Sequence, residues 1–90
     1  MKSGPAMKKI TVRYFASIRE AVGTGSEAVE SNAGSLGALR DELIARGGAY
    51  ADSLARGKAV RVALNQTLSD ESAMLADGSE VGFFPPVTGG

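Results

Sequence analysis

The chain has no cysteine, no histidine and no tryptophan. Without cysteine there is no disulfide, no thiol nucleophile and no thiolate ligand for a metal. Without histidine the usual general base and the commonest metal ligand are missing too. No excess of charge of either sign compensates: 10 basic residues balance 10 acidic ones, for a formal net charge of zero. That balance supplies no electrostatic reason for nucleic acid or an anionic membrane as partner. No apolar run is long enough to span a bilayer and no secretory signal is visible, so the expected location is the cytoplasm. What remains for chemistry is carboxylates, lysines, hydroxyls and the C-terminal carboxylate. No metal site is expected.

A length of 90 residues predicts one domain with a compact core. Residues 1–6 precede a second methionine, Met7, and the periodic pattern starts only after it. They read as an extension outside the fold, either native residues or a cloning remnant. From Lys8 to Phe15 apolar residues alternate, with Ile10, Val12 and Tyr14 on one face and Thr11, Arg13 and Phe15 on the other. This is a half-buried strand. Ala16 to Val22 reads as a short helical turn stopped at Gly23, and Ser26 to Glu30 as a second strand antiparallel to the first. Ser35 caps the main helix, whose stripe is Leu36, Leu39, Leu43 and Ile44. Gly37 weakens that helix by about 1 kcal/mol relative to alanine, and Gly47 ends it. Ala49 to Arg56 adds a further short turn.

Val60 to Leu64 alternates again, Asn65-Gln66-Thr67 makes a turn, and Leu68 falls on a connecting segment. Glu80 to Phe84 is the last strand, with Val81 and Phe83 inward. Pro85 and Pro86 end it, because neither donates to a sheet ladder. The expected domain spans residues 7–84, an α+β roll with one main helix across one face of a mixed sheet. Phe15 and Phe84 then lie on the other face, with Leu68 able to join them, as an apolar patch of the kind that marks a partner surface. The alternative is that both rings fold back under a loop. Asp70, Glu71, Asp77 and Glu80 read as turn and surface residues rather than a catalytic pair, and Lys8, Lys9 and Arg13 as a solvated edge.

The chain closes on Phe83-Phe84-Pro85-Pro86-Val87-Thr88-Gly89-Gly90. Residues 85–90 reach about 20 Å when extended, and the two glycines let the end enter a narrow channel. What such a tail delivers is a carboxylate, a poor acyl donor until its oxygen becomes a leaving group. This chain has no residues set to activate it, so another enzyme must. Gly-Gly alone equally fits an inert end. Its position at the terminus, the double proline behind it and the order of elements favour use.

Tyr14-Phe15-Ala16-Ser17-Ile18-Arg19-Glu20, Asn65-Gln66-Thr67-Leu68 and the terminal FFPPVTGG together resemble the MoaD family, the small sulfur carrier subunits of molybdopterin synthase. The likeness covers nearly all of residues 7–90. It implies a ubiquitin-like β-grasp fold. It implies that Gly90 is adenylated by an E1-like (MoeB-like) enzyme using ATP and magnesium, and then becomes a thiocarboxylate with sulfur from a donor protein. It implies transfer of that sulfur to a cyclic pterin precursor in the large, MoaE-like subunit, within a heterotetramer. Gly89 would thread the channel, and Pro85, Pro86, Val87 and Thr88 would set reach and contacts. Phe15, Arg19, Leu68 and Phe84 match docking positions, although Arg19 also fits a simple exposed residue beside Glu20. No cofactor is expected on the chain itself, and no activity from it in isolation. A thiazole-type sulfur carrier and a ubiquitin-like modifier are the alternatives.

Overall fold

The computed structural model describes residues 7–85; the extension at 1–6 and the tail residues Pro86, Val87, Thr88, Gly89 and Gly90 lie outside the described residues. Eight elements follow one another: β1 (Lys8–Tyr14), α1 (Ala16–Val22), β2 (Ser26–Ser31), α2 (Leu36–Ile44), α3 (Gly48–Leu54), β3 (Arg61–Leu64), β4 (Thr67–Ser69) and β5 (Glu80–Phe84). The strands form one mixed sheet in the order β2-β1-β5-β3-β4. β1 pairs antiparallel with β2 and parallel with β5, and β3 runs antiparallel to both β5 and β4.

The core is the inner sheet face against the helices. Ile10, Val12 and Tyr14 from β1, Val81 and Phe83 from β5 and Val62 from β3 meet Ile18, Leu36, Leu39, Leu43 and Leu54. The alternation and the helical stripe therefore assign the core correctly, and the fold is the α+β roll expected. The short helical turns expected at Ala16 to Val22 and Ala49 to Arg56 are helices of 7 residues each, α1 and α3. Two details differ. Leu68 belongs to a strand, β4, paired with β3 through Ala63↔Leu68, and not to a connecting segment. Arg13 lies on β1, which is flanked on both sides, so it is not on a sheet edge.

Local chemistry sets the helix ends and turns. The Ser35 hydroxyl accepts the Ala38 N–H at 3.2 Å and caps α2. Gly37, costly for a helix, is required by a close approach. Its N–H donates to the Glu71 carbonyl at 2.8 Å, and a Cβ there would lie 3.1 Å from Glu71 Oε1. Asn65 and Gln66 both take positive φ, 50° and 72°, which turns β3 into β4 in a tight hairpin.

Two polar networks tie the elements together, the first joining α2 to α3 and the loops that follow, the second joining the helical side to β1 and β2. Arg40, 3% exposed, donates Nε–H to the Leu54 carbonyl at 2.7 Å and NH2 to the carbonyls of Ala55 and Lys58 at 2.6 and 3.1 Å. Its NH1 donates to Glu71 Oε2 at 2.6 Å. Arg56 also holds Glu71, and binds Asp41 and the Gly37 carbonyl. The second network centres on Glu27. Its Oε2 accepts from the Tyr14 and Tyr50 hydroxyls at 2.7 and 2.8 Å, and its Oε1 from Arg46 at 3.0 Å.

Burial, then the hydrogen bond and charge of Glu27, push the Tyr14 hydroxyl far above the usual tyrosine range. At Glu27 burial opposes ionisation, but the hydrogen bonds from Tyr14, Arg46 and Tyr50 outweigh it, so its carboxyl sits below the ordinary 4.5. The signs give opposite limbs. Glu27 stabilises the fold above the unfolded carboxylate range, and that contribution disappears as pH falls through its depressed value. Above about pH 10 unfolded tyrosine ionises while folded Tyr14 keeps its proton, so stability falls again. Urea midpoints measured against pH should trace both limbs, with Tyr14→Phe flattening the alkaline one; an unchanged alkaline limb in that variant contradicts the assignment.

Candidate functional site, the outer sheet face

The sheet face turned away from the helices carries the candidate site. β5 pairs with β1 through Tyr14↔Phe83, which brings Phe15 beside Phe84 one residue further on. On the other flank Arg61 is the cross-strand partner of Phe84, and Gly82 of Ala63. The Phe15 and Phe84 rings are stacked, 4.4 Å between centroids and 3° from parallel. They are half-buried against each other and the sheet, not folded under a loop.

Gly82 makes room for this pair. A Cβ at that position would lie 3.1 Å from Phe15 Cε2 and 3.3 Å from Phe84 Cε1. Together with Leu68, which is 60% exposed, the two rings border a hollow of about 220 Å³ floored by Ala63 and Gly82. A larger residue has no room beneath the rings. Gly82→Val should splay them and weaken any complex made through this face by about tenfold, the order of a stacked pair's 0.5–1.5 kcal/mol. An unchanged dissociation constant, with displaced ring signals seen by NMR, would show that the stacking is dispensable.

Of the site residues read from the sequence, the structure brings together Phe15, Leu68 and Phe84. Arg19 lies on α1 and is exposed; with Arg13 and Phe15 it borders a second hollow, of about 340 Å³, beside the patch. Among the described residues it makes no ion pair with Glu20. Pro85 lines a groove of about 650 Å³ between α1 and α3, on another side of the fold's end. Pro86 to Gly90 lie outside the described residues. Arg13, Arg61, Ala63 and Gly82 were not singled out as site residues, though the same alternation that placed Phe15 and Phe84 outward places Arg13 and Gly82 beside them.

The chemistry of this face is apolar contact with a basic margin. Among the described residues no group of three or more acidic side chains is placed to hold a metal ion. No helix among them is long and apolar enough to cross a membrane.

A mixed sheet that grips one main helix, with its last strand inserted parallel to its first, defines a protein of the ubiquitin-like β-grasp class. The chain belongs to the ThiS family, whose model matches residues 12–90. It is 44% identical over 81 residues to the molybdopterin synthase sulfur carrier subunit of Escherichia coli, covering 90% of this chain and 99% of that one. Among solved structures it resembles a Haloferax volcanii protein determined in solution, with a TM-score of 0.80 at 29% identity, covering 100% of this chain and 93% of that one. It also resembles a chain in the complex of subunits 1 and 2 of the molybdopterin-converting factor from Helicobacter pylori. That match has a TM-score of 0.61 at 30% identity and covers 91% of this chain and 99% of the other.

Proposed function

We propose that this chain is the sulfur carrier subunit of a molybdopterin synthase and works in the cytoplasm. The observation that carries the reading is the 44% identity to a sulfur carrier subunit across 99% of that relative's length, on a chain that ends FFPPVTGG. The fold supports it by what it supplies and what it omits. It presents an apolar face for a partner and a terminal strand aimed out of the sheet at Pro85. It has neither histidine nor cysteine with which to do chemistry alone.

In this reading an activating enzyme of the E1-like type binds the chain with ATP and magnesium. The Gly90 carboxylate oxygen attacks the α-phosphorus and pyrophosphate leaves. A donor protein's persulfide sulfur then attacks the acyl carbon and AMP leaves, and a donor thiol cleaves the resulting acyl disulfide, releasing the thiocarboxylate and leaving a disulfide on the donor. The outer face docks on the large subunit of the synthase, and the tail, Pro85 to Gly90, carries the sulfur into that subunit's pocket. The chain's own residues bind and position; the cofactors belong to its partners.

The intact mass of the chain tests this after incubation with ATP, magnesium, the activating enzyme and a sulfur donor. The expected result is a rise equal to one oxygen replaced by sulfur, absent from a chain lacking Gly90. Transfer of the whole chain onto lysines of other proteins, with no sulfur-bearing species, would instead establish a protein modifier.

A further inference from the structure

The aromatic patch is surrounded by charge of one sign. Arg61 is the cross-strand neighbour of Phe84, and therefore stands on the outer face at one side of the stacked rings. Arg13 stands in the row of Gly82 and Ala63, with its guanidinium carbon 5.6 Å from the centre of the Phe15 ring. Arg19, on α1, borders a hollow beside the rings together with Arg13 and Phe15.

Acidic residues do not cancel these three. Among the described residues Glu80, which also lines the hollow beside the rings, is the one carboxylate within 4.0 Å of any of them, and its contact with Arg13 is loose, 3.7 Å. Asp70 and Glu71 border a shallow cleft with Arg61, yet neither lies within 4.0 Å of its guanidinium. Glu71 is committed to Arg40 and Arg56. A chain with formal net charge zero thus places three guanidinium groups against one closely placed carboxylate around this aromatic face.

We infer that this face selects a protein surface consisting of an apolar knob ringed by carboxylates, with Arg13 and Arg61 as the specificity residues of its rim. The hollow bounded by Phe15, Leu68 and Phe84 receives the knob. Guanidinium groups present paired donors matched to carboxylates. Rim charges act mainly by steering the encounter and rejecting wrong partners, whereas the buried aromatic anchors govern how long the complex lasts. The inference rests on the proposed function for the identity of the partner, the synthase large subunit, and adds the chemistry by which that partner is recognised.

Association and dissociation rates should be measured by surface plasmon resonance with the large subunit from the same organism, at low and high salt. Arg61→Glu, and Arg61→Glu combined with Arg13→Gln, are compared with the unsubstituted chain. Glutamine is chosen at Arg13 because a glutamate there would face Glu80. The unsubstituted chain should associate more slowly as salt rises. Arg61→Glu should slow association about tenfold at low salt, and dissociation should change little. Unchanged thermal midpoints verify the folding of both variants. Tight binding by the unsubstituted chain, with association rates indifferent to salt and to both substitutions, overturns the rim while leaving the carrier reading intact. No binding by the unsubstituted chain overturns both. Displacement of the large subunit by a single-stranded oligonucleotide at equal concentration would reassign the face to nucleic acid.

Discussion

Phe84→Glu leaves the fold standing and breaks the partner complex. Phe84 is half-buried on the outer face, and its only aromatic neighbour there is Phe15. Its inward neighbour Phe83, 0% exposed, does the work of the core. Substitution forfeits the stacking, about 0.5–1.5 kcal/mol, which a domain stable by 5–15 kcal/mol tolerates. The effect on binding is larger. An aromatic anchor at the centre of an interface contributes at least about 2 kcal/mol, roughly thirtyfold in the dissociation constant. A carboxylate placed in that hollow would also meet the acidic rim inferred for the partner. Isothermal titration against the large subunit, beside a thermal melt of the variant alone, separates the two effects. A collapsed melt would mean that the ring belongs to the core after all. A normal melt with undiminished affinity would mean that docking happens elsewhere.

Arg40→Ala produces the largest loss of stability expected from one substitution in this chain. Arg40 reaches from α2 to the carbonyls at the C-terminal end of α3, at Leu54 and Ala55, and on to Lys58. Those carbonyls have no further turn of helix to donate to them. Removing the guanidinium leaves them unpaired in a buried site and deprives Glu71 of its buried partner. Breaking one side of such an arrangement costs about 3–5 kcal/mol, roughly 15 °C or more in melting temperature for a domain of this size. Arg56→Ala is the control. Its side chain is 47% exposed, so its pairs with Asp41 and Glu71 are largely screened and contribute about 1 kcal/mol or less. Differential scanning calorimetry of both variants decides it: equal losses would show that the burial of Arg40 confers nothing special.

Much of this architecture is legible along the chain because the apolar period changes where the structure does. Ile10-Val12-Tyr14 and Val81-Phe83 announce strands at period two, and Leu36-Leu39-Leu43 announces a helix. By the same rule Phe15 and Phe84 fall outward, where the structure stacks their rings. β4 escapes the rule because three residues cannot display an alternation; only its register with Ala63 makes Leu68 part of a sheet. Arg40 escapes for another reason. It lies on the same helical face as Leu36 and Leu43, at the spacing of the apolar stripe, but an arginine there reads as solvated until its four acceptors are brought in from distant segments. The basic rim is hidden similarly. Arg13 and Arg61 are far apart in sequence, and only the insertion of β5 between β1 and β3 puts them on either side of one aromatic pair.

The pairing of β1 with β5 also bears on how the protein is made. Thr11 lies opposite Glu80, so the centre of the sheet joins the first strand to the last. β1 has β2 close by in the chain, but its partner on the other flank, β5, is the last element to be synthesised. Val81 and Phe83 complete the core in the same event that supplies Phe84 to the outer face. A chain cut short before β5 would lack both the closed core and the Phe84 half of the outer aromatic pair, so one strand completes the two faces of the sheet at once.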